Sequence, residues 1–352
     1  MKVTINDVAK QAGVSIKTVS RVMNNEPSVR KDTFDKVMAA INELHYQPNA
    51  AARNLASTRS YSIGYIYDNP NAYYIIDMQK GLLDSCKKHG YELLIHPTNA
   101  KSPGIVDEVK ELVTKSRLAG LILTPPFSEM PHIAEALEDM KVDFVRIVSG
   151  STPSPGVHNC VLIDDFTAAF KITNHLLELG HTDIAFLCGD EEHSSSGERL
   201  AGFKAALTKR GLTVNPKYIV PGHYSFESGV EGAKKLMALP KRPSAVFACN
   251  DEIAAGALFS ARLMNIRIPD ELSIAGFENS PFSRQTWPPL TTAHQPNSTI
   301  ASQAAELLFK HTRPNANKAQ IQAQPVFIPE LLVRESTSPL DGEKSSNQSA
   351  KP

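Results

Sequence analysis

Three times in its first 45 residues the chain repeats one pattern, apolar side chains at three- and four-residue spacing interrupted by a turn residue or a cap. Ile5, Val8, Ala9 and Ala12 make the first stripe. Val19, Val22 and Met23 make the second, and Phe34, Val37, Met38, Ile41 and Leu44 the third. Thr4 with Asp7 three residues on reads as a capping box that opens the first helix. Gly13 breaks that helix, Ser15 can cap the next, and the third runs from about residue 29 to 44. Three short helices with a glycine between the first two predict a helix-turn-helix module.

In the second helix, "SIKTVSRVMN", the apolar stripe leaves Ile16, Lys17, Ser20, Arg21 and Asn24 on the other face. A major groove accepts such a face: Lys17 and Arg21 reach guanine edges or phosphates, Ser20 and Asn24 bond to either, and Ile16 meets a thymine methyl. Spacing alone equally allows a solvated face on a small helical domain. The following stretch, "YQPNAAARNLASTRS", has a helix stop at Pro48, a cap at Asn49 and helix-favouring alanines, but Leu55 is its one sizeable apolar group. Such a segment is marginal alone. It reads either as a linker or as a hinge helix that orders on DNA with Leu55 as a minor-groove wedge.

From Tyr61 the texture changes to short β-rich runs separated by helical patterns. "SIGYIYD", "YELLIHP", "LAGLILT" and "DFVRIV" form one series, and "HTDIAFLCGD", "PSAVFACND" and "ELSIAGFE" a second. Alternation of this kind builds parallel sheets with helices on both faces, so the fold class expected is α/β, a two-lobed body behind an all-α head. The crossing between lobes is expected near residues 149–159.

Composition narrows the function classes. At 352 residues and 41% hydrophobic, the chain can bury more than one core. No apolar run approaches a membrane span and the N-terminus lacks the apolar core of a signal peptide, so a cytoplasmic protein is expected. The four cysteines are scattered and mostly lie in apolar strand-like runs, which suits buried thiols; no metal and no cofactor are expected. The net charge is zero, yet residues 1–60 hold nine Lys and Arg against five Asp and Glu, four positive, which leaves the remainder four negative. A basic head on an acidic body favours a polyanion at one end only.

Ligands of open α/β sheets bind beyond the carboxyl ends of strands. Those exits offer Tyr73 and Tyr74, then His193, Ser195 and Arg199, then Tyr224, Asn250 and Glu278. Asp251 reads as the cap of the helix that follows it. Aromatic faces with Arg, amide and carboxylate groups suit a small polyhydroxylated or heterocyclic ligand. Ser194 to Gly197, opening a helix, would suit a phosphate. No GxSxG elbow, HExxH, P-loop or GxGxxG occurs, and no enzymatic activity is expected.

"TINDVAKQAGVSIKTVSRVMNN" followed by "YQPNAAARNLAS" resembles the head and hinge of the lactose-repressor (LacI/GalR) family of bacterial transcription regulators. The body is similar to the family from about residue 61 to 337, through "RLAGF", "CNDEIAAGAL", "PDELSIAGFEN", "PPLTT" and "PELLVREST". The resemblance implies Ile16, Lys17 and Arg21 as base readers, with Thr4, Ser20, Asn24 and Tyr46 as DNA-backbone contacts. It implies Leu55, with Ala52 beside it, as the hinge wedge. In the body it implies Arg199, Asn250 and Glu278 as ligand-bonding groups, Tyr224 as a stacking aromatic, and Tyr73 and Tyr74 as first-lobe contacts. Where the family usually has Asp in "GFD", this chain has Glu278, one methylene longer.

The expected organisation is a DNA-binding domain at 1–46, a hinge at 47–60, an effector-binding and dimerisation body at 61–337 in the manner of periplasmic sugar-binding proteins, and a disordered tail at 338–352. The expected function is a homodimeric repressor of carbohydrate catabolism genes. Its partners would be a pseudo-palindromic DNA operator and a sugar or sugar phosphate between the lobes. A purine is the alternative effector, and a soluble sugar-binding receptor the alternative class.

Overall fold

The computed structural model describes residues 3–23, 29–46, 60–69, 71–152, 159–312 and 324–340. Asn24, Ala52, Leu55, the greater part of the hinge (47–59) and the tail beyond 340 lie outside the described residues. The chain divides into two compact units, Met1–Tyr61 and Ser62–Pro352.

The first unit holds α1 (Ile5–Ala12), α2 (Ile16–Met23) and α3 (Lys31–Glu43). Thr4 opens α1: its backbone N–H and its hydroxyl both donate to Asp7 Oδ2, at 2.8 and 2.7 Å, which holds the Asp7 carboxyl below its ordinary pKa. Gly13 closes the helix at φ +64, in the left-handed region that a glycine adopts without strain. Ser15 Oγ accepts the N–H of Thr18 and so caps α2. Val8, Val19, Val22 and Val37 are the buried centre, and Phe34, Met38, Ile41 and Leu44 pack around them.

In the second unit the first sheet is β1 (Ser62–Tyr67), β2 (Glu92–Pro97), β3 (Gly120–Leu123), β4 (Asp143–Ser149), β5 (Cys160–Ile163) and β11 (Val326–Phe327), ordered β11-β5-β4-β3-β1-β2 and parallel throughout. The second is β6 (Ile184–Leu187), β7 (Ile219–Val220), β8 (Ala245–Ala248) and β9 (Ser273–Ala275), ordered β7-β6-β8-β9 and also parallel. Strands β3, β5, β6 and β8 are buried at every residue, as expected where helices cover both faces. The helices of the first lobe are α4 (Ala72–His89), α5 (Ile105–Ser116) and α6 (Pro131–Asp139). Those of the second are α7 (Asp165–Glu178), α8 (Ser194–Lys209), α9 (Phe226–Met237), α10 (Asp251–Leu263) and the short α11 (Phe282–Gln285).

The crossing between lobes departs from the sequence expectation. Strand β5 still belongs to the first sheet, so the chain leaves that lobe after Ile163 rather than within 149–159. It then crosses twice more. After β10 (Thr292–His294) it returns to the first lobe as α12 (Asn297–His311), which packs against α4, and after β11 it comes back as β12 (Glu330–Leu332) to pair antiparallel with β10. The α4–α12 contact is close enough that a Cβ on Gly81 would lie 2.0 Å from the Ser298 carbonyl oxygen. Hydrophobic periodicity is a local signal and carries no record of which lobe a segment rejoins.

Candidate functional site

In the head, α2 turns Val19 and Val22 into the core and leaves Ile16, Lys17 and Arg21 exposed, with Ser20 half-buried beside them. Ile16 keeps 49% of its surface exposed, a large apolar side chain beside Lys17 and Arg21 on a face left open among the described residues. Thr4 is exposed and engaged with Asp7. Tyr46 is half-buried against the head core, and burial pushes its hydroxyl pKa up.

The body brings six of its eight sequence-predicted residues to one cavity between the lobes. Tyr74, His193, Ser195, Arg199, Tyr224 and Glu278 line it. Asn71, Pro125, Ser149, Asp165 and Gln295, which the sequence reading did not single out, also line it. The wall is built from strand exits of both sheets and from two of the crossings, at Asp165 and Gln295.

Arg199 is the centre of the arrangement. It sits on the first turns of α8, 3% exposed, with its guanidinium 3.7 Å from the centre of the Phe277 ring. Its Nε donates to Asp165 Oδ1 at 2.8 Å, Nη1 to the Cys249 carbonyl at 2.7 Å and Nη2 to Gln295 Oε1 at 3.4 Å. Burial works against its charge, but Asp165, Tyr224, Cys249 and Glu278 together more than offset that, so the guanidinium is held above its ordinary pKa. One side chain thus ties two interlobe crossings to the end of β8.

Glu278 lies 3.9 Å from Arg199 Nη1, and its Oε2 accepts from Asn71 Nδ2 at 2.6 Å, across the cleft. Burial raises its carboxyl to about 8, against the pull of Arg199. Its backbone stands at φ +98, rare for a residue with a Cβ and a sign of local strain at the cleft. The extra methylene relative to Asp lets the carboxylate span from β9 to the first lobe. Two further contacts join the lobes: the Ser194 N–H donates to Glu129 Oε2 at 3.1 Å, and Lys101 pairs with Glu192 at 3.0 Å. Drawn together in this way, the walls leave about 40 Å³ between them. A cavity of about 830 Å³ lies elsewhere, between α8 and α9; of the sequence-predicted residues only Ser196 and Gly197, from the stretch expected to suit a phosphate, border it.

The aromatic and hydroxyl groups form a second cluster. The Tyr224 hydroxyl lies 2.8 Å from Ser196 Oγ and 3.3 Å from Ser195 Oγ, and its ring meets His193 edge-on at 5.7 Å between centres. Burial raises the pKa of Tyr74 and Tyr224 and lowers that of His193, so all three are neutral near pH 7.

Two residues fall outside the cavity. Tyr73 packs edge-on against Phe282 of the second lobe at 5.6 Å, because its neighbour Tyr74 takes the inward side of the first turn of α4. Asn250 is fully buried and caps α10, with Oδ1 accepting the Ile253 N–H, while its Nδ2 has no hydrogen-bond partner. The capping role assigned to Asp251 therefore belongs to Asn250. Asp251 instead accepts from Thr292 and from the Ser280 N–H, and burial raises its carboxyl to about 7.

Comparison with known proteins agrees with both units. Residues 4–49 match the profile of bacterial regulatory proteins, lacI family, and residues 173–337 that of a periplasmic binding protein-like domain. The HTH-type transcriptional regulator DegA of Bacillus subtilis (strain 168) is 35% identical over 342 residues, 97% of this chain and 100% of that protein. The HTH-type transcriptional repressor PurR of Haemophilus influenzae is 33% identical over 335 residues, 95% of this chain and 98% of that protein. Among solved structures, the lac repressor dimer bound to operator and the anti-inducer ONPF superposes with a TM-score of 0.75 at 25% identity, covering 96% of this chain and 100% of that one. The complex of the transcriptional regulator CelR with cellobiose gives 0.71 at 25% identity, covering 95% and 99%. A helix-turn-helix head with an exposed cationic face, a two-lobed parallel α/β body and these relatives lead to one conclusion: the chain belongs to the lacI family of bacterial regulatory proteins, and is a DNA-binding transcriptional regulator rather than an enzyme.

Proposed function

We propose that the protein is a cytoplasmic repressor of carbohydrate catabolism genes, released from or held on its operator by a sugar or sugar phosphate bound between the lobes of the body. The observation that carries this is the convergence of Arg199, Glu278, Tyr74, Tyr224, His193 and Ser195 on one cavity. Directional donors and acceptors beside apolar rings fit a polyhydroxylated ring, and the similar CelR structure holds cellobiose.

The domains are assigned as 1–46 for DNA binding, 47–60 for the hinge, 61–337 for effector binding and dimerisation, and 338–352 for a tail. Ile16, Lys17 and Arg21 read bases, and Thr4, Ser20, Asn24 and Tyr46 hold the DNA backbone. Leu55 with Ala52 forms the minor-groove wedge. One reading helix covers too few base pairs, so two copies meet a pseudo-palindrome about one helical turn apart. Exposed apolar side chains suit that dimer: Ile76 and Leu83 lie seven residues apart on α4, Phe259 and Leu263 four apart on α10, and Trp287 is 72% exposed. The similar lac repressor structure is a dimer on its operator.

A small-molecule site needs roughly 300 Å³ or more, and the cleft leaves about 40 Å³. Binding therefore parts the lobes and breaks the Asn71–Glu278 hydrogen bond. Arg199 ties two of the crossings to this cavity, so lobe movement strains its bonds to Asp165 and Gln295. The coupling is reciprocal: an effector that weakens operator binding binds the DNA complex more weakly by the same factor.

A thermal-shift screen of the full chain against sugars, their phosphates and purines tests this. Saturable stabilisation follows RT ln(1 + [L]/Kd), and a sugar that stabilises the wild type and fails with Tyr74→Leu supports the reading. A purine hit would favour the second reading, for which Tyr74 and Tyr224 present two rings to one cavity.

A further inference from the structure

The cavity of about 830 Å³ between α8 and α9 has the size of a small-molecule site and takes no part in the function proposed above. The chain leaves β6 for α8 and β7 for α9, and these two crossovers step along the sheet in opposite directions. Right-handed crossovers then put the helices on opposite faces, where α8 packs on α7 and α9 on α10. The connections part beyond the carboxyl ends of β6 and β7, which is where an open α/β sheet offers a crevice to a ligand. Cys188 and Gly189 after β6, with Pro221 and Gly222 after β7, form its floor.

The walls are apolar on one side and acidic on the other. Leu200 of α8 and Ile219 supply apolar surface. Along α9 stand Glu227, Glu231 and Lys235 at four-residue spacing, hence on one face, with the two glutamates about 6 Å apart along the axis. Glu191 adds a third carboxylate, against Lys235 as the one lysine in the lining, while His223 is held by Asp190 at 2.7 Å. The N-terminus of α9 is already answered: Ser225 Oγ accepts the Ser228 N–H at 3.2 Å, and Glu227 lies in the first turn. An approaching anion therefore meets carboxylates, and an approaching cation is drawn in. Gly197 faces the same space from α8. A Cβ there would have nothing within 4 Å, so packing does not require a glycine that weakens the helix; what it leaves is backbone open to close approach.

One layer of side chains separates this cavity from the one between the lobes. Ser196 borders the outer cavity, and its Oγ lies 2.8 Å from the hydroxyl of Tyr224, which borders the inner one. Gly189 backs the same ring, where a Cβ would come within 2.5 Å of it.

We propose that the cavity between α8 and α9 is a second ligand site, for a small aliphatic amine, and that its occupancy is passed to the interlobe cleft through Ser196 and Tyr224. Ammonium groups meet Glu191, Glu227 and Glu231, and the methylene stem lies on Leu200 and Ile219 with Gly197 letting it approach α8. The amine site stands whatever the cleft binds; its link to regulation rests on the cleft being the effector site.

Putrescine, a diamine with a four-carbon stem, is the probe on the full chain, followed by calorimetry with sodium chloride at matched ionic strength as the reference. Wild type should bind it saturably, with Kd on the order of 1 mM or tighter, and should bind inorganic phosphate at least tenfold more weakly. Gly197→Leu fills the cavity from a position that meets nothing and favours the helix, so it should keep its thermal midpoint and lose at least tenfold in putrescine affinity. The double variant Glu191→Gln, Glu227→Gln keeps the shape, should lose as much, and carries the comparison if the leucine variant misfolds. No saturable putrescine binding by wild type, equal binding by the folded variants, or tighter binding of phosphate overturns the amine site. The link to the cleft is read by NMR of carbon-labelled tyrosine, with signals assigned by Tyr→Phe variants. Saturating putrescine should shift the Tyr224 signal and leave that of Tyr91, in the first lobe, in place. Saturable binding with Tyr224 unmoved overturns the link. No arm involves a sugar, so failure here is distinguishable from failure of the sugar reading.

Discussion

The two units hold their working side chains in opposite ways. In the head, Ile16, Lys17 and Arg21 lie exposed on one face of one eight-residue helix, and the residues that fold the helix are different ones, Val19 and Val22. In the body, Arg199, Asp165 and Asn71 are nearly completely buried, and the contacts that would serve a ligand also hold the lobes. On the proposed assignment of sites, recognition is separable from stability in the first unit and fused with it in the second. A duplex is large and arrives from outside, whereas a small effector has to be surrounded.

The strongest way to break this contrast is Arg199→Ala. Removing a buried guanidinium leaves Asp165 without its 2.8 Å partner and Glu278 without its nearest cation. Breaking a buried pair in this way costs about 3–5 kcal/mol, so the thermal midpoint should fall by many degrees and any effector response should vanish. Thermal and urea unfolding followed by circular dichroism read this. An unchanged midpoint would mean that the cleft is a decorated surface, built like the head.

Glu278→Gln sharpens the same point through pH. Burial lifts the Glu278 carboxyl from an ordinary 4.5 to about 8 in the folded chain. Between those values the native state holds a proton that the unfolded state has released, so stability falls as pH rises through the window. The amide has no such dependence. Relative to wild type, the variant should therefore gain stability from pH 4.5 upward and level off above pH 8, by up to about 3 kcal/mol near neutrality. Unfolding curves of both proteins across that range give the difference, and a flat difference would show that the carboxylate is solvated.

These expectations also mark what could be read beforehand. The head was legible because its helices, caps and exposed cationic face are each set by residues within a few positions of one another. Most strands of the body were legible for the same reason. Asn71, Asp165 and Gln295 were missed because their roles exist only once three crossings bring strand exits of both sheets together. Asn71 stands two residues before Tyr73, and the tyrosines carry the stronger sequence signal there. The capping role expected of Asp251 falls to Asn250 for a different reason: both residue types cap helices well, and a one-residue difference in where α10 begins decides which does so. The link between Glu129 and Ser194 joins residues 65 positions apart, and no spacing rule reaches that far.

For the head, Arg21→Ala should show the separation directly. Loss of a base-reading arginine costs about 1–3 kcal/mol of DNA affinity and relaxes one base position, while an exposed substitution leaves stability within about 0.5 kcal/mol. Fluorescence anisotropy on a duplex selected from random sequence, and on single-base variants of it, measures both the loss and its base dependence. A uniform loss across all duplexes would place Arg21 on a phosphate instead.

Thr4 is where the separation should be least complete, and so gives the smallest and most discriminating effect. It is exposed, as a DNA-backbone contact must be, yet its hydroxyl is bonded to Asp7 and helps to start α1. Replacing an N-cap threonine with alanine costs typically about 1 kcal/mol. If Thr4 only caps, Thr4→Ala should lower the unfolding free energy by that amount and leave the affinity of the folded head for DNA unchanged. If it also touches the backbone, affinity should drop equally on specific and random duplexes, since a phosphate contact carries no sequence information. Thr4→Ser, which keeps the hydroxyl, should restore both quantities. A stability loss restored by serine together with an affinity loss that is not would trace the DNA contact to the threonine methyl.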